Sequence, residues 1–350
     1  MSFTVQLQPS GKRFTVAPGE SVLDAALRQD IALPYGCRNG GCGTCAARLL
    51  SGAVDYPDGL PPALTEAEAA VGKVILCQAR PREDLVIEAH EVASETIRVK
   101  RLPARVVTLR KLAHDVMLME LKLPDSERLQ FLPGQYIEIL LRDWRRRAFS
   151  LANPPHDDTV LQLHIREVPG GYFTHHVFHE MRERALLRIE GPFGSFYLRE
   201  DSPRPRLMVA GGTGFAPVKA MIEHSIHHGH TQPIHFYWGV RAKRDLYMDE
   251  LARRWAAEHP HIHYTPVLSE PRPEDDWQGE TGFVHEVAAR DFPDMSGLDA
   301  YLCGPPPMVE AANALFQQRG CPAERIYYDS FEFSADAQAA LAEKDGDGGD

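Results

Sequence analysis

The sequence predicts a multidomain α+β and α/β protein in which a small mixed sheet, an antiparallel β-barrel and a doubly wound parallel sheet follow one another. Residues 1–91 begin with two alternating strands before a short helix. Residues 102–202 contain many short strands and one helix, which is typical of a small barrel. Residues 203–333 alternate strands with helices, and this indicates a parallel sheet with helices on both faces.

Composition is that of an ordinary globular protein with two or three domains. The chain has 350 residues, of which 43% are hydrophobic and 25% are charged. Its formal net charge of −11 argues against a nucleic-acid partner. No apolar run reaches the length of a membrane span and the N-terminus lacks a signal-peptide pattern, so we expect no membrane span and no export. Four of the six cysteines belong to one motif, which leaves Cys303 and Cys321 and favours a reducing cytoplasm.

Residues 1–91 are predicted to form strands around one main helix. The alternation from Phe3 to Leu7, followed by the Ser10-Gly11 turn, predicts a hairpin. Ser21 with Asp24 three residues later is typical of a helix start. The further elements expected are a short helix opened by Thr65 and Glu68, and strands at Ala46–Leu50, Val74–Cys77 and Leu85–Ala89.

Three cysteines in a glycine-rich loop and a fourth beyond it form the most specific motif of the chain. The loop has the spacing C-x4-C-x2-C and the fourth cysteine follows after 31 residues, giving the set Cys37, Cys42, Cys45 and Cys77. Plant-type [2Fe-2S] ferredoxins have this spacing, and glycines there let backbone amides approach the bridging sulfides. The alternative is a structural zinc site, but zinc cysteines usually come as two short pairs. The sequence therefore predicts a [2Fe-2S] cluster on these four thiolates.

Polar residues without apolar periodicity predict a linker at 92–101. In the barrel region we expect a helix at Thr174–Met181 and strands at Val106–Leu109, Val116–Leu123, Tyr136–Leu141, Arg147–Leu151, Val160–Val168 and Leu186–Glu190. In the parallel region we expect strands at Leu207–Ala210, Ile234–Trp238, Ile262–Leu268 and Ala300–Cys303, and helices from Phe215, near Leu246–Glu258 and at Met308–Gln318. Residues 334–350 are rich in Gly and Asp and are predicted to be a disordered acidic tail.

Three short motifs lie on or directly after predicted strands in the second and third regions. Arg147-Ala148-Phe149-Ser150 lies in the barrel. Gly211-Gly212-Thr213-Gly214 comes between a buried strand and a helix, where glycine lets a nucleotide pyrophosphate approach backbone amides and the helix dipole. It is not the G-x-G-x-x-G pattern, so a conventional dehydrogenase is less favoured. Cys303-Gly304-Pro305-Pro306 follows the last of the expected strands.

Through these motifs the chain resembles the ferredoxin–NADP reductase superfamily across residues 102–333, and it resembles plant ferredoxins across residues 1–91. The resemblance implies a β-grasp ferredoxin domain, an antiparallel flavin-binding β-barrel at 102–202 and a doubly wound parallel nucleotide-binding domain at 203–333. It also implies three cofactors: FAD, a [2Fe-2S] cluster and a nicotinamide nucleotide.

The same resemblance assigns the flavin contacts. Arg147 would pair with the FAD pyrophosphate, which suits a bidentate guanidinium, and the Ser150 hydroxyl would lie near the flavin N5 atom, which receives hydride. A second phosphate contact would come from a helix N-terminus near Thr174. The alternatives are a surface charge at Arg147 and a plain N-cap at Thr174. The implied FAD contacts are Arg147, Ala148, Phe149, Ser150, Gly171 and Thr174.

The resemblance places the nicotinamide nucleotide on Gly211, Gly212, Thr213 and Gly214. Cys303, with Gly304 and Pro305 after it, would lie against nicotinamide and flavin, and Phe331 would cover the isoalloxazine ring. The alternatives are a buried small side chain for Cys303 and a core aromatic for Phe331. The candidate catalytic residues are therefore Ser150, Cys303 and Phe331.

The domain order narrows the type of reductase. Oxygenase reductases and CDP-6-deoxy-Δ3,4-glucoseen reductases share this order. The local sequences at Gly211–Lys219 and Tyr237-Trp238-Gly239 most resemble the latter. The resemblance implies that electrons pass from NAD(P)H through FAD and the cluster to a partner protein, either a deoxysugar dehydrase or an oxygenase component. Such a relay is needed because a hydride carrier moves two electrons and the cluster accepts one. The alternatives of other classes are a non-catalytic redox sensor and a zinc-stabilised interaction protein.

Two further patterns concern the nucleotide and the histidines. NADPH-specific relatives usually place Ser before Arg241, and the absence of that Ser predicts NADH. The signal is mixed, because no acidic residue stands at the strand end to select the 2′-hydroxyl, and Arg241, Lys243 and Arg244 leave NADPH open. The histidines His224, His227 and His228 fall at helical spacing, but no acidic residue completes a ligand set along the sequence. Solvated faces or adenine-side packing are therefore favoured over a metal site.

Overall fold

The computed structural model describes residues 2–29, 31, 33–41, 43–89, 97–143 and 145–331. The chain divides into two compact units, Met1–Ile97 and Arg98–Asp350. Cys42, residues 92–96 of the expected linker and the expected tail at 334–350 lie outside the described residues. Among the described residues, no helix combines the length and the apolar character that crossing a membrane requires.

The first unit is built on a mixed sheet with the strand order β2-β1-β7-β3-β5. Strands β1 and β7 run parallel, whereas the other neighbours run antiparallel. Two short strands, β4 and β6, pair separately. The elements are β1 (Phe3–Gln8), β2 (Arg13–Val16), α1 (Val22–Arg28), β3 (Ala46–Ser51), β4 (Val54–Asp55), α2 (Glu66–Ala70), β5 (Lys73–Ile75), β6 (Arg80–Pro81) and β7 (Leu85–Glu88).

Local chemistry explains the ends of these elements. Gly11 adopts φ +74° between β1 and β2, a conformation that glycine reaches without strain. The Ser21 hydroxyl accepts a hydrogen bond from the Asp24 amide at 3.1 Å and caps α1. The predicted strand Val74–Cys77 is wrong at its end, because β5 stops at Ile75 and Cys77 lies in the turn that follows.

The barrel of the second unit consists of antiparallel strands in the order β11-β10-β13-β8-β9-β12. A bridge between Leu151 and Leu163 joins its two ends. Strand β8 begins at Lys100, so the expected linker ends earlier than residue 101. The elements are β8 (Lys100–Lys111), β9 (Val116–Lys122), β10 (Tyr136–Leu140), β11 (Arg146–Ser150), β12 (Leu161–Arg166), α3 (Tyr172–His179) and β13 (Leu186–Phe193).

The remainder of the second unit, called here the nucleotide half (residues 203–331), is a parallel sheet in the order β17-β16-β15-β14-β18-β19. Buried apolar clusters cover both faces, as expected of a doubly wound sheet. The elements are β14 (Arg206–Gly211), α4 (Phe215–His227), β15 (Ile234–Val240), α5 (Asp249–Glu258), β16 (Ile262–Leu268), β17 (Glu280–Thr281), α6 (Val284–Asp291), β18 (Asp299–Gly304), α7 (Pro306–Gln318) and β19 (Ile326–Ser330).

The strand order reverses between β14 and β18, and this reversal positions the site. Successive strands after β14 run outward to one side, whereas β18 and β19 lie on the other side. Ligands of open α/β sheets bind at such a switch point, beyond the carboxyl ends of the strands. Here those ends are Gly211 on β14 and Gly304 on β18.

Candidate functional site

The cysteine loop of the first unit is held against the segment that carries Cys77. The Leu76 amide donates to the Cys45 carbonyl at 3.1 Å, and the Gln78 side-chain amide donates to the Arg38 carbonyl at 3.0 Å. Cys45 and Cys77 are buried and Cys37 is half-buried. These two contacts bring the three described cysteine positions into one region, while Cys42 lies outside the described residues.

Several groups around this loop fit a thiolate-bound cluster. Gly40 adopts φ +86°, and a Cβ there would stand 2.9 Å from Gln78 Cγ. The Arg38 guanidinium lies 2.7 Å from the Asp24 carboxylate and fastens the loop to α1. The Tyr56 hydroxyl accepts from the Ile75 amide at 3.1 Å, and burial, followed by the nearby Cys45 and Cys77 thiols, raises the pKa of that phenol. The geometry therefore suits sulfur ligands converging from both segments.

Strand β11, which carries R-A-F-S, alternates between exposed and inward-facing positions. Ser150 is buried and lies opposite Tyr136 in the ladder with β10. The Phe149 ring packs 5.7 Å from the Phe173 ring of α3, centroid to centroid. Arg147 is half-buried and Ala148 exposed. Because consecutive strand residues face opposite sides of a sheet, Phe149 faces α3 and the buried Ser150 faces the other side of β11.

The N-terminus of α3 begins at Gly171, which is its N-cap. A Cβ on Gly171 would lie 2.7 Å from Thr174 Oγ1, so the position leaves no room for a side chain. The Thr174 hydroxyl accepts from the Val168 amide at 3.2 Å and donates to the Gly171 carbonyl at 3.2 Å. The alternative of a plain N-cap at Thr174 is therefore wrong, since Thr174 sits in the first turn and braces the preceding loop.

Neighbouring residues occupy the space that side chains would need at three positions of the glycine loop after β14. Cβ atoms on Gly211, Gly212 and Gly214 would lie 2.7 Å from Met308 Sδ, 2.6 Å from Arg166 Nη1 and 2.2 Å from the Cys303 carbonyl oxygen, respectively. The Trp238 indole N–H donates to the Gly212 carbonyl at 2.9 Å. Thr213 completes the single 3₁₀ turn that leads into α4. Only glycine fits these positions without displacing a neighbour.

Cys303 lies beside this loop in β18, which is buried along its whole length. Its side chain is inaccessible to solvent, and burial raises the pKa of the thiol well above its ordinary value. Gly304 follows with φ +151°, and Pro305 caps α7. The Phe331 amide donates to the Gly304 carbonyl at 2.8 Å. The structure thus brings C-G-P-P, the glycine loop and Phe331 together at the switch point.

A cleft of about 1530 Å³ opens between the barrel and the nucleotide half. Its walls include Gly171 at α3, Gly211 and Gly212 of the glycine loop, and Pro305. The other predicted flavin and nucleotide contacts are not part of these walls: Arg147, Ala148, Phe149, Ser150, Thr174, Thr213, Gly214, Cys303, Gly304 and Phe331. The cleft therefore joins Gly171, a predicted flavin contact, with the predicted nucleotide contacts Gly211, Gly212 and Pro305.

Sequence reasoning missed residues that line this cleft. Arg166, at the end of β12, lies 3.0 Å from Asp115 and faces Gly212. Glu270 follows β16 by two residues, and its amide donates to the Arg241 carbonyl at 2.8 Å, so both residues stand at the same edge. No motif marks Arg166 or Asp115. Glu270 could have been found by asking which acidic residue follows the strand next to β15.

Comparison with known families supports three functional regions. Residues 5–82 match the 2Fe-2S iron-sulfur cluster binding domain, residues 103–197 the oxidoreductase FAD-binding domain and residues 208–314 the oxidoreductase NAD-binding domain.

Whole-length relatives agree with this division. CDP-6-deoxy-L-threo-D-glycero-4-hexulose-3-dehydrase reductase of Yersinia pestis is 38% identical over 95% of this chain and 99% of the relative. The reductase component of phenol 2-monooxygenase from a Pseudomonas species is 35% identical over 96% of each chain. A crystal structure of a cytochrome P450 reductase from Amycolatopsis superposes with a TM-score of 0.79 and 34% identity, covering 94% of this chain and 98% of that one.

Proposed function

The chain belongs to the ferredoxin–NADP reductase superfamily, among the members with an N-terminal [2Fe-2S] ferredoxin domain, and on that premise we propose that its electron acceptor is a deoxysugar dehydrase. It is an electron-transfer oxidoreductase with NAD-, FAD- and [2Fe-2S]-binding domains. The observation that carries the choice of acceptor is the 38% identity with the dehydrase reductase of Yersinia pestis, which extends over 99% of that relative.

In this proposal the four cysteines Cys37, Cys42, Cys45 and Cys77 hold the cluster. The FAD contacts are Arg147, Ala148, Phe149, Ser150, Gly171 and Thr174, and the nucleotide contacts are Gly211, Gly212, Thr213, Gly214, Gly304 and Pro305. When bound, FAD accepts hydride from the nicotinamide and the cluster conducts single electrons onward to the acceptor protein.

The chain's own residues orient these groups and keep water out. The Ser150 hydroxyl, on a strand buried at this end, supplies a hydrogen bond at the flavin edge. Cys303 remains a neutral thiol, because burial raises its pKa, and gives the nicotinamide side a compact apolar contact. Phe331, tied through its amide to Gly304, covers the flavin face. Glycines 211, 212 and 214 let the nucleotide phosphates reach the α4 N-terminus.

The second candidate acceptor is the oxygenase component of a system such as phenol hydroxylase. The 35% identity with the phenol 2-monooxygenase reductase favours it. We rank it second because the identity is lower. A non-catalytic redox sensor is the alternative from another class, and multiple turnovers of NADH with an artificial acceptor would exclude it.

The experiment that tests the acceptor is reconstitution with purified partners. The holoprotein and NADH are mixed with either the CDP-6-deoxy-hexulose dehydrase or the oxygenase component of phenol hydroxylase, and partner-dependent product formation is measured. We expect product with the dehydrase. Product with the oxygenase component alone would overturn the choice of acceptor. A Cys77→Ser chain serves as control, because it should support neither reaction.

We also propose that the protein prefers NADH and works in the cytoplasm. The nucleotide preference rests on the missing Ser before Arg241 and on Glu270 at the cleft edge. The location rests on the use of four of the six cysteines as cluster ligands, which need a reducing compartment. Cell fractionation followed by immunoblotting tests the location.

A further inference from the structure

Three exposed histidines from two parts of the second unit converge outside the nucleotide cleft. His227 is the last residue of α4 and His228 is its C-cap, whereas His156 belongs to the barrel loop that follows β11. One donor nitrogen from each lies within 4.8 Å of the others. The His156 and His227 rings are stacked, with centroids 3.6 Å apart and planes 12° apart.

A hydrogen bond fixes which nitrogen of His228 faces outward. Nδ1 of His228 lies 3.0 Å from the His224 carbonyl oxygen, which can only accept, so Nδ1 carries the proton. The lone pair is therefore on Nε2. Metal-ligating histidines usually donate their other ring N–H to such a carbonyl, and this contact sets the tautomer and the ring orientation. His228 is thus prepared as a ligand.

The spacing suits a small divalent ion. Bonds of about 2.1 Å to Zn²⁺ place tetrahedral donor atoms roughly 3.4 Å apart. The donor nitrogens lie within 4.8 Å of one another, and exposed side chains can close the remaining gap by rotation. Behind the three histidines, Glu200 lies 3.1 Å from His224 Nε2 and 3.6 Å from His230 Nε2, which adds a negative charge near the site.

The loop that carries His156 is already packed on α4. The Lys219 ammonium on α4 donates to the Ala152 carbonyl of that loop at 3.0 Å and is buried. The loop and the helix therefore keep their separation without an added ion, and binding requires only side-chain rotation. None of the three histidines lines the nucleotide cleft, so the cluster is separate from that cleft.

We propose that His156, His227 and His228 form a binding site for a divalent transition-metal ion that joins the barrel to the nucleotide half, with water as the fourth ligand. Neutral imidazoles favour Zn²⁺, Cu²⁺ and Ni²⁺ over Mg²⁺ or Ca²⁺. The sequence alone did not favour this site, because the third ligand comes from the barrel and not from the helix that carries the other two.

The test uses the untagged holoprotein, treated with a chelator and titrated with ZnCl₂ in an isothermal calorimeter. We expect His156→Gln, His227→Gln and His228→Gln each to weaken one Zn²⁺ site at least about tenfold. His263→Gln is the matched control, since His263 stacks on His235 at 4.8 Å and belongs to none of the three-ligand groups found among the described residues. Zn²⁺ that binds elsewhere, for example at Glu167, His175 and His179, contributes equally to the titrations of wild type and variants. It therefore does not affect the difference between them.

A second readout is the midpoint of thermal unfolding of the second unit. Zn²⁺ should raise this midpoint in the wild type and in His263→Gln, but not in His156→Gln. The KM for NADH should stay the same in His156→Gln, because the site lies outside the cleft. Equal Zn²⁺ affinity in wild type and His156→Gln would overturn the proposal, even if His227→Gln and His228→Gln weakened binding, because the ion would then sit on α4 alone.

Discussion

The hydroxyl oxygen of Tyr247 lies 3.1 Å from Nδ1 of His164, and this contact joins strand β12 of the barrel to the nucleotide half. His164 is buried, and the ring of Tyr247 packs edge-on against Trp238 and Phe215. Burial, helped by the charge of Lys219, lowers the pKa of His164 to about 3. An imidazole that must stay neutral therefore stands at a junction between the two parts of the second unit.

We predict that His164 makes this unit sensitive to acid. Its folded-state pKa of about 3 lies below the ordinary value of 6.5, so between these values the unfolded state binds more protons and stability falls as pH falls. From pH 7 to pH 5 the loss should be about 2 kcal/mol. All four tryptophans follow residue 97, so urea unfolding followed by tryptophan fluorescence reports on this unit. His164→Gln should lose about 2 kcal/mol less than wild type over the same interval, and equal losses would contradict the prediction.

Cys77→Ser should separate the two parts of the electron path. The substitution removes a cluster ligand in the first unit, while the flavin and nucleotide residues lie in the second. The variant should keep its FAD and reduce ferricyanide, which takes electrons from the flavin, but lose nearly all reduction of cytochrome c. Cys321→Ser, in the nucleotide half, should retain both the cluster absorbance and both activities. Full cytochrome c reduction by Cys77→Ser would place the cluster off the electron path.

Ser150→Ala should slow the arrival of hydride and so depress ferricyanide and cytochrome c reduction together. Loss of one preorganised hydrogen bond at a reacting group typically costs about 10²-fold in rate. Stopped-flow measurement of flavin bleaching by NADH gives the step directly. Ser126→Ala, at an exposed position of the same barrel, should leave the rate unchanged. A bleaching rate equal to wild type in Ser150→Ala would remove Ser150 from the hydride step.

The nucleotide preference should depend on Glu270. The Lys243 ammonium donates a hydrogen bond to the Asp275 carbonyl at 3.0 Å. Arg241 and Glu270, in contrast, both line the cleft. A carboxylate there disfavours a 2′-phosphate, so NADH should have the higher kcat/KM. Glu270→Gln should raise kcat/KM for NADPH at least about tenfold, a change of about 1.4 kcal/mol. Glu286→Gln removes the same charge elsewhere on the cleft wall and should have little effect. A wild-type preference for NADPH would mean that Arg241 outweighs Glu270.

Gly214→Ala should destabilise the second unit through a steric clash alone. Gly214 has φ −57°, which any residue can adopt, but its Cβ would stand 2.2 Å from the Cys303 carbonyl oxygen. Overpacking of this kind costs about 1–3 kcal/mol, and the shifted loop should raise the KM for NADH. Gly297 has open space around its Cβ position, so Gly297→Ala should change the unfolding free energy by less than about 0.5 kcal/mol. Equal unfolding free energies for the two variants would contradict the steric argument.

The type of each sheet was predictable from the sequence, because the period of the apolar residues reflects which side chains are buried. Strands that depend on pairing with a segment far away in the sequence were missed. Strand β8 contains Pro103, which reads as a break, yet the residue pairs with Arg188 at a ladder position that tolerates a missing N–H. The short strands β4, β6 and β17 have too few residues to carry a period of two. They form because a neighbouring segment supplies the hydrogen bonds.

The site residues were predictable from the sequence where they lie together in one short segment. The glycine loop and C-G-P-P have local spacing, and the structure brings both to the switch point. Arg166 and His156 were not predictable, because each acts through a neighbour far away in the sequence, Gly212 and His227 respectively. Roles that depend on FAD, such as that of Ser150, remain predictions for the experiments above.

The place of β7 in the first sheet has a consequence for biosynthesis. This strand is the last of that sheet to leave the ribosome, yet it lies at the centre, between β1 and β3. The sheet that supports the cysteine loop is therefore complete only once Glu88 has been translated. From that point the emerging chain holds a finished module, because domains fold as units in the order of synthesis. We therefore expect the first unit to fold while the rest of the chain is still being made.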